Sequence, residues 1–403
     1  MLISLASDRT RIVEIRSQIS ELESLLAALR DEQATAQQRL DSYIYPILTL
    51  PNEITAEIFL HFLPNYPRLP DIDHSSRIHD AVFPTRLTHV CRKWREVAIT
   101  TPSLWKGLAI FEPPLLSKFE GRLALIETWL GRSGCCPLSI DIIAITGRHH
   151  DIVKKTFSLI IPHLARLERL KLILDDFRSV PHISLPMATL RTLELGTLRE
   201  NDERPAAFAS CDMPRLREVV LNCPSSLNVD LPWAQLTSLS LGCIEPDLSF
   251  PILQKTLNLV SCVLNFGSDE YEQYTITDYH IKLPCLTSLI VRRDDREMVT
   301  GILTAFVVPH LRRLEIPEPF LGSDPIASLK GFVSESSCNC ALKELVITNR
   351  KVWPTGCCPV TEEDYRAACP SVVDFSSEFI SHDDGVSDTS DNSEDDWEDD
   401  GSE

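Results

Sequence analysis

One recurring spacing constrains this chain more than any other feature. The pattern Leu-x-x-Leu-x-Leu, or a close variant, occurs at Leu167-Leu170-Leu172, Leu190-Leu193-Leu195, Leu216-Val219-Leu221 and Leu236-Leu239-Leu241. It returns at Leu286-Leu289-Val291, Leu311-Leu314-Ile316 and Leu342-Leu345-Ile347, with a degenerate copy at Leu257-Asn258-Leu259. Successive middle positions lie 23, 26, 20, 18, 32, 25 and 31 residues apart, a mean of 25. A unit of that length holds one short strand and a return of helix or loop. Neither buries its apolar face alone, but stacked neighbours share a continuous core. Most copies also follow a proline by a few residues: Pro162, Pro186, Pro214, Pro232, Pro284 and Pro309. A plain α/β domain with parallel strands predicts similar elements but gives no reason for that proline.

The same alternation of helix and strand begins upstream. Leu115–Leu130 is helical in pattern, with Leu116, Phe119, Leu123, Ile126 and Leu130 apolar, and Gly131 to Pro137 breaks it. A strand is expected from Leu138, a helix over Asp151–Ile161 and a strand over Leu170–Leu174. Downstream, Thr361 with Asp364 resembles a capping box, so a short helix follows, and Val372 to Phe375 forms a final strand. Residues 381–403 hold eleven Asp or Glu and no Lys or Arg, which accounts for −11 of the net −19. Such a segment lacks the apolar surface needed to order itself. It reads as a solubilising tail, or as one that binds a basic partner or accepts phosphate at Ser393.

Two further segments precede the repeats. Residues 9–45 carry heptads: Ile12, Ile19, Leu26, Gln33 and Leu40 at one seam position, and Ile15, Leu22, Leu29, Ala36 and Tyr43 at the other. Arg11, Glu14, Arg16, Glu21, Glu23, Arg30, Asp31 and Glu32 fall mostly off that seam. This predicts a long helix that self-associates as a coiled coil or folds back on its own domain. Then comes Leu50-Pro51-Asn52-Glu53-Ile54, where proline suits a first helical turn, followed by Ile58, Phe59 and Leu63 at helical spacing and Pro64 as a stop. A second helix is expected over Leu87–Ala98, with Leu87, Val90, Cys91, Trp94 and Val97 on its apolar stripe and Arg92, Lys93, Arg95 and Glu96 off it. Thr101-Pro102 stops it, and Trp105 adds an aromatic anchor.

The order Leu-Pro-x-Glu-Ile, Ile-Phe, Leu, Val-Cys-Arg-x-Trp-Arg, Leu-Trp over Ile47–Trp105 resembles the F-box, a three-helix module that docks on the adaptor Skp1. Residues 65–86 make a longer connection than the family pattern has. The downstream copies resemble the leucine-rich-repeat half of fungal F-box proteins with a long N-terminal helix, although the asparagine of regular repeats is missing from most copies. The resemblance implies an α/β fold class in four parts. These are a long helix or coiled coil (1–45), a small all-α F-box-like domain (46–106), an irregular leucine-rich-repeat solenoid with a parallel β face (115–376) and a disordered acidic tail (377–403).

It further implies that Leu50, Pro51, Ile54, Ile58, Phe59, Leu63, Val90, Cys91 and Trp94 hold the adaptor or the F-box core, and that Trp105 cements the junction to the repeats. The implied role is the substrate-recognition subunit of a Skp1–cullin–F-box ubiquitin ligase, non-catalytic itself. A protein target would sit on the strand face or the loop rims. Arg191, Thr192, Glu194, Arg312, Arg313, Glu315, Lys343 and Glu344 are exposed strand positions that serve as ordinary solvated residues as often as contacts. The alternative is a non-degradative interaction scaffold built on the repeats and the coiled coil.

Composition narrows the rest. A net charge of −19 argues against a nucleic-acid binder, which needs a basic stripe to displace counterions. No apolar run approaches bilayer length, and no basic stretch precedes the short apolar N-terminus, so neither membrane nor signal peptide is expected. Thirteen cysteines at scattered apolar positions, with no Asn-x-Ser/Thr sequon, suit a reducing compartment, cytoplasm or nucleus. No phosphate-cradling glycine loop, His-Glu-x-x-His or Gly-x-Ser-x-Gly motif is present, and no cofactor is expected. His149-His150 reads as a solvated turn. Cys338, Cys340, Cys357, Cys358 and Cys369 lack the paired spacing of structural zinc, and Cys135-Cys136-Pro137 reads as a structural turn.

Overall fold

The computed structural model describes residues 2–43, 46–63, 83–111, 119–144, 150–174, 177, 180–183, 185–197, 208, 211–222, 230–267, 273–275, 279–293, 298–336, 341–350 and 360–379. The expectations placed on Pro64, most of 65–86, Leu115, Leu116, His149, Cys338, Cys340, Cys357, Cys358 and the acidic tail fall outside these residues. The chain divides into two compact units, with the boundary between Trp105 and Lys106.

The first unit opens with α1 (Leu2–Ser42), a helix of 41 residues. Every described side chain from Ser7 to Tyr43 is exposed, including both seam positions, so this helix does not fold back to bury its heptads. After a 3₁₀ turn at Pro46–Thr49 come α2 (Asn52–His61), α3 (Phe83–Val90) and α4 (Arg92–Thr100), then a second 3₁₀ turn at Pro102–Trp105. The single helix expected over Leu87–Ala98 is broken at Cys91. That residue is extended, at φ −154 and ψ 170, and its Sγ accepts from the Trp94 N–H at 3.4 Å. A side chain able to cap the next helix has interrupted a stripe that periodicity alone reads as continuous.

The second unit is mixed α/β. Its strands are β1 (Gly107–Phe111), β2 (Leu138–Ala144), β3 (Leu167–Leu174), β4 (Thr192–Thr197), β5 (Glu218–Asn222), β6 (Ser238–Ile244) and β7 (Ser261–Phe266). There follow β8 (Gln273–Thr275), β9 (Ile281–Lys282), β10 (Ser288–Arg293), β11 (Met298–Thr300), β12 (Phe306–Val307), β13 (Arg313–Pro317), β14 (Glu344–Arg350) and β15 (Asp374–Phe379). Helices α5 (Phe119–Arg132), α6 (His150–Ile160), α7 (Pro246–Leu253), α8 (Pro325–Glu335) and α9 (Glu362–Ala368) stand among them. Among the described residues, eleven strands form one sheet in the order β1-β2-β3-β4-β5-β6-β7-β10-β13-β14-β15. All of its pairings are parallel. Strand β1 begins ahead of residue 115, where the repeats were expected to start.

Register explains the repeat. The middle positions Leu170, Leu193, Val219, Leu239, Leu289, Leu314 and Leu345 are fully buried or nearly so, as are the leading leucines 167, 190, 216, 236, 286, 311 and 342. The degenerate copy is corrected, its middle position moving five residues downstream. Leu257 is 53% exposed, and the buried set is Leu259, Cys262 and Leu264, with Cys262 level with Leu239 and Leu289. A cysteine, small and apolar when buried, holds the place of a leucine. Middle positions then fall 23 residues before and 27 after Cys262, in place of 18 and 32.

The recurring proline also has a structural cause. The amides of Leu216, Leu286 and Leu311 donate to the carbonyls of Met213, Leu283 and Val308, three residues back. Pro214, Pro284 and Pro309 therefore occupy the second position of a turn, where a preset φ is favoured. Each turn swings the chain into its strand while the residue before the proline is buried. At the C-terminal end the capping box is present: Thr361 Oγ1 accepts from the Asp364 N–H at 3.2 Å, and Asp364 accepts from the Thr361 N–H at 2.9 Å. Among the described residues, no helix is long and apolar enough to cross a membrane.

Candidate functional site

The residues singled out between Leu50 and Trp105 separate into a core and an exposed set. Pro51 precedes α2 with φ −55, and its carbonyl accepts from the Thr55 hydroxyl at 3.0 Å. Thr55 and Phe59, one helical turn apart, are the buried face of α2. Phe59, only 2% exposed, meets Trp94 of α4 edge to face, with ring centroids 4.9 Å apart. Trp105, 1% exposed, donates its indole N–H to the Ala98 carbonyl at 2.8 Å, which ties the second 3₁₀ turn back to the end of α4. Its hydrogen bond is thus made within the first unit.

Other members of the set stay at the surface. Ile54 is 50% exposed and Val90 60%, while Leu50, Ile58, Leu63, Cys91 and Trp94 are partly covered and Pro51 is exposed. Ile54 and Ile58 follow each other at one-turn spacing beside the buried face, and Phe62 continues that stripe, exposed. The Trp94 Nε1–H is shielded from solvent without a hydrogen-bond partner among the described residues. Lys93, placed off the apolar stripe by periodicity, has an unforeseen role. Its ammonium donates to the carbonyls of Leu48 at 2.8 Å and Leu50 at 2.6 Å, so it clamps the start of α2 to α4. No short-range pattern signals a contact between residues 43 or more positions apart.

The sheet offers a second surface, on the face opposite the leucines. Glu194 and Glu315, expected to be ordinary solvated positions, are each 9% exposed and centre two charge clusters. Glu194 accepts from Lys171 and, at 3.3 Å, from Arg169 on the adjoining strand, and Arg169 reaches Asp141 at 3.7 Å. Glu315 lies 2.9 Å from Arg313 and 3.4 Å from Arg292, and Arg313 also bonds Glu344. The hydrogen bond to Glu315 leads the causes that raise the Arg313 pKa further. Strands stand ~4.8 Å apart, so opposite charges one strand away meet directly. Arg191, in contrast, pairs with Glu168 at 3.0 Å at the exposed edge.

Between these clusters the face is small and weakly polar. Ser238, Ser261 and Ser288 are level neighbours, as are Ser240, Val263 and Ile290 in the next row. In the third row Asn222 lies beside Gly242, where a Cβ would stand 2.5 Å from the Asn222 Oδ1. The asparagine side chain fills the space a larger residue would need.

Supporting contacts fix the ends of the sheet. Arg166 donates to the Ser133 hydroxyl at 3.0 Å and to the carbonyls of Cys136 and Leu130 at 2.9 and 3.1 Å, holding the turn that contains Cys135 and Cys136. Burial, and then the nearby guanidinium, lowers the His163 pKa. Near β15, Tyr365 donates to Glu318 at 2.8 Å, and burial with that bond pushes its phenol pKa up. Arg350 pairs with the same Glu318 at 3.3 Å. No three His, Cys, Asp or Glu side chains among the described residues gather as metal ligands, and Cys369 is buried. No protein-family model matches this chain, and no curated protein matches it.

Proposed function

We propose that this chain is the target-recognition subunit of a Skp1–cullin–F-box ubiquitin ligase, working in the cytoplasm or nucleus. In this reading residues 46–106 are the F-box, and the sheet is an irregular leucine-rich-repeat solenoid that holds a protein target. The observation that carries it is the division within the helical segment. Phe59 and Trp105 are interior, with the partly covered Trp94 packed on Phe59, while Ile54 and Val90, with Ile58 in part, leave apolar surface exposed. Apolar side chains beside a closed core are what an adaptor-docking surface requires.

Strand order supports the solenoid half. A doubly wound α/β sheet reverses its strand order at a switch point, where ligands bind. Among the described residues, consecutive strands neighbour each other across the sheet, interrupted only by the short β8, β9, β11 and β12. Stacked repeats produce that order because each unit contacts its sequence neighbours. Catalysis would reside elsewhere in the complex, with this chain holding the target lysine close to the loaded conjugating enzyme.

Co-expression with Skp1 followed by gel filtration tests the reading. A stoichiometric complex is expected, lost in the Ile54→Asp, Val90→Asp double variant while circular dichroism and melting stay unchanged. A folded, soluble chain that ignores Skp1 would overturn the F-box assignment and leave an interaction scaffold.

A further inference from the structure

We propose that α1 pairs with α1 of a second copy of this chain as a parallel, in-register, two-stranded coiled coil, pinned by Gln33. The starting observation is a seam with no partner. Ile12, Ile15, Ile19, Leu22, Leu26, Leu29 and Leu40 are all exposed along one side of a continuous helix. Burying one such side chain removes roughly 100 Å² from water. Seven on each chain give about 1,400 Å², within the standard size range of a stable interface.

Three features select a second copy in this orientation. Isoleucine at the first seam position (Ile12, Ile19) with leucine at the second (Leu22, Leu29) is the pattern that favours two parallel strands, from which Ile15, Leu26 and Leu40 depart. Gln33 is the polar member of the seam, and a parallel partner in register places its own Gln33 opposite, so the two amides satisfy each other. A full-length antiparallel pair would set Gln33 against Leu22 of the other copy and bury an amide without a partner. Flanking charges permit the parallel pair. The one like-charge approach, Arg11 to Arg16 of the other copy, lies at the helix start, where Arg11 is already paired with Glu14 at 3.1 Å. The remaining flanking pairs are Gln18 with Glu23, Leu25 with Arg30, and Glu32 with Gln37, none of them repulsive.

The orientation has a structural consequence. A helix of 41 residues spans about 60 Å. In a parallel pair both chains leave it at the same end, so the two copies of the following domains emerge side by side. An antiparallel pair would hold them about 60 Å apart. This inference stands independently of the adaptor reading.

The experiment uses the full chain. Sedimentation equilibrium at about 20 µM should give twice the monomer mass. The Ile15→Cys variant, oxidised mildly, should yield a covalent dimer of unchanged sedimentation, because identical seam positions face each other in a parallel pair. The Ser17→Cys variant, with the cysteine on the far side of the helix, should cross-link no more than the wild-type chain does through its own exposed cysteines, and Ile15→Cys well above both. Gln33→Leu should retain assembly but spread it over dimers and larger species, as loss of a register-setting polar residue predicts. A monomer at that concentration overturns the proposal. A dimer in which Ile15→Cys fails to cross-link, or one confined to a single species after Gln33→Leu, overturns the parallel, Gln33-pinned arrangement.

Discussion

Cys262 lies level with Leu289 on the adjoining parallel strand, in the core position that leucine fills in most other strands. Burial raises its thiol pKa from 9.0 to about 12. The unfolded chain therefore loses this proton near pH 9, whereas the folded chain keeps it until about pH 12. The resulting stability is intact below pH 9 and falls away between those two values. Cys262→Ala should abolish that part of the alkaline loss, seen as a shallower fall of the denaturation midpoint above pH 9. Below it the same variant should cost about 1 kcal/mol through the small cavity left behind. In the native protein Cys262 should resist alkylation, while the exposed Cys135, Cys243 and Cys285 react.

Glu194 is the shared partner of Arg169 and Lys171. Replacing it with Gln keeps the shape but removes the carboxylate that two buried cations share, leaving Asp141 beside Arg169. A loss of roughly 3 kcal/mol is expected by urea denaturation. The Glu194→Gln, Lys171→Met pair should recover most of it. Glu168→Gln at the exposed edge should change stability by less than ~0.5 kcal/mol, and that small effect should vanish at high salt.

Within the helical segment, depth rather than motif membership should set the cost of a substitution. Phe59→Ala and Trp105→Ala should each destabilise the segment by about 3–5 kcal/mol. Ile54→Asp and Val90→Asp should stay within ~0.5 kcal/mol, since they lie outside the closed interior. A melting series of the four variants checks the ranking.

The capping box of α9 predicts an acid-sensitive helix. Hydrogen bonds from the Thr361 hydroxyl and amide hold the Asp364 carboxyl pKa below its ordinary value. A depressed carboxylate adds stability above its unfolded-state pKa and loses it as pH falls through the folded one. Amide exchange in Glu362–Ala368 should therefore show protection that declines on acidification. Thr361→Ala should lower the protection and weaken its pH dependence, leaving the share that the backbone amide of residue 361 supplies.

The strands were legible wherever leucines recur, because a two-residue period beside a buried leading leucine is a local signal. The capping box and the uninterrupted first helix were equally readable, since Thr361 and Asp364 act within one turn and heptads repeat along one segment. The copy at Leu257-Asn258-Leu259 was misplaced because Cys262 does not announce itself as a core residue; only the register with Leu239 and Leu289 shows it. The break at Cys91 was missed for a related reason. Leu87, Val90, Cys91, Trp94 and Val97 continue one apolar period across a change of direction, and periodicity carries no information about a backbone that turns extended for one residue.

The sequence by itself determined the strand repeat, the proline before most of its strands and the heptad seam, because each depends on neighbours a few residues apart. Tertiary structure alone decided which apolar residues of the helical segment are interior and which are surface. It alone clamped Lys93 to the carbonyls of Leu48 and Leu50 and closed Glu194 over Arg169 and Lys171. Such contacts join positions more than twenty residues apart. Their existence depends on the distance between packed elements, which no local period encodes.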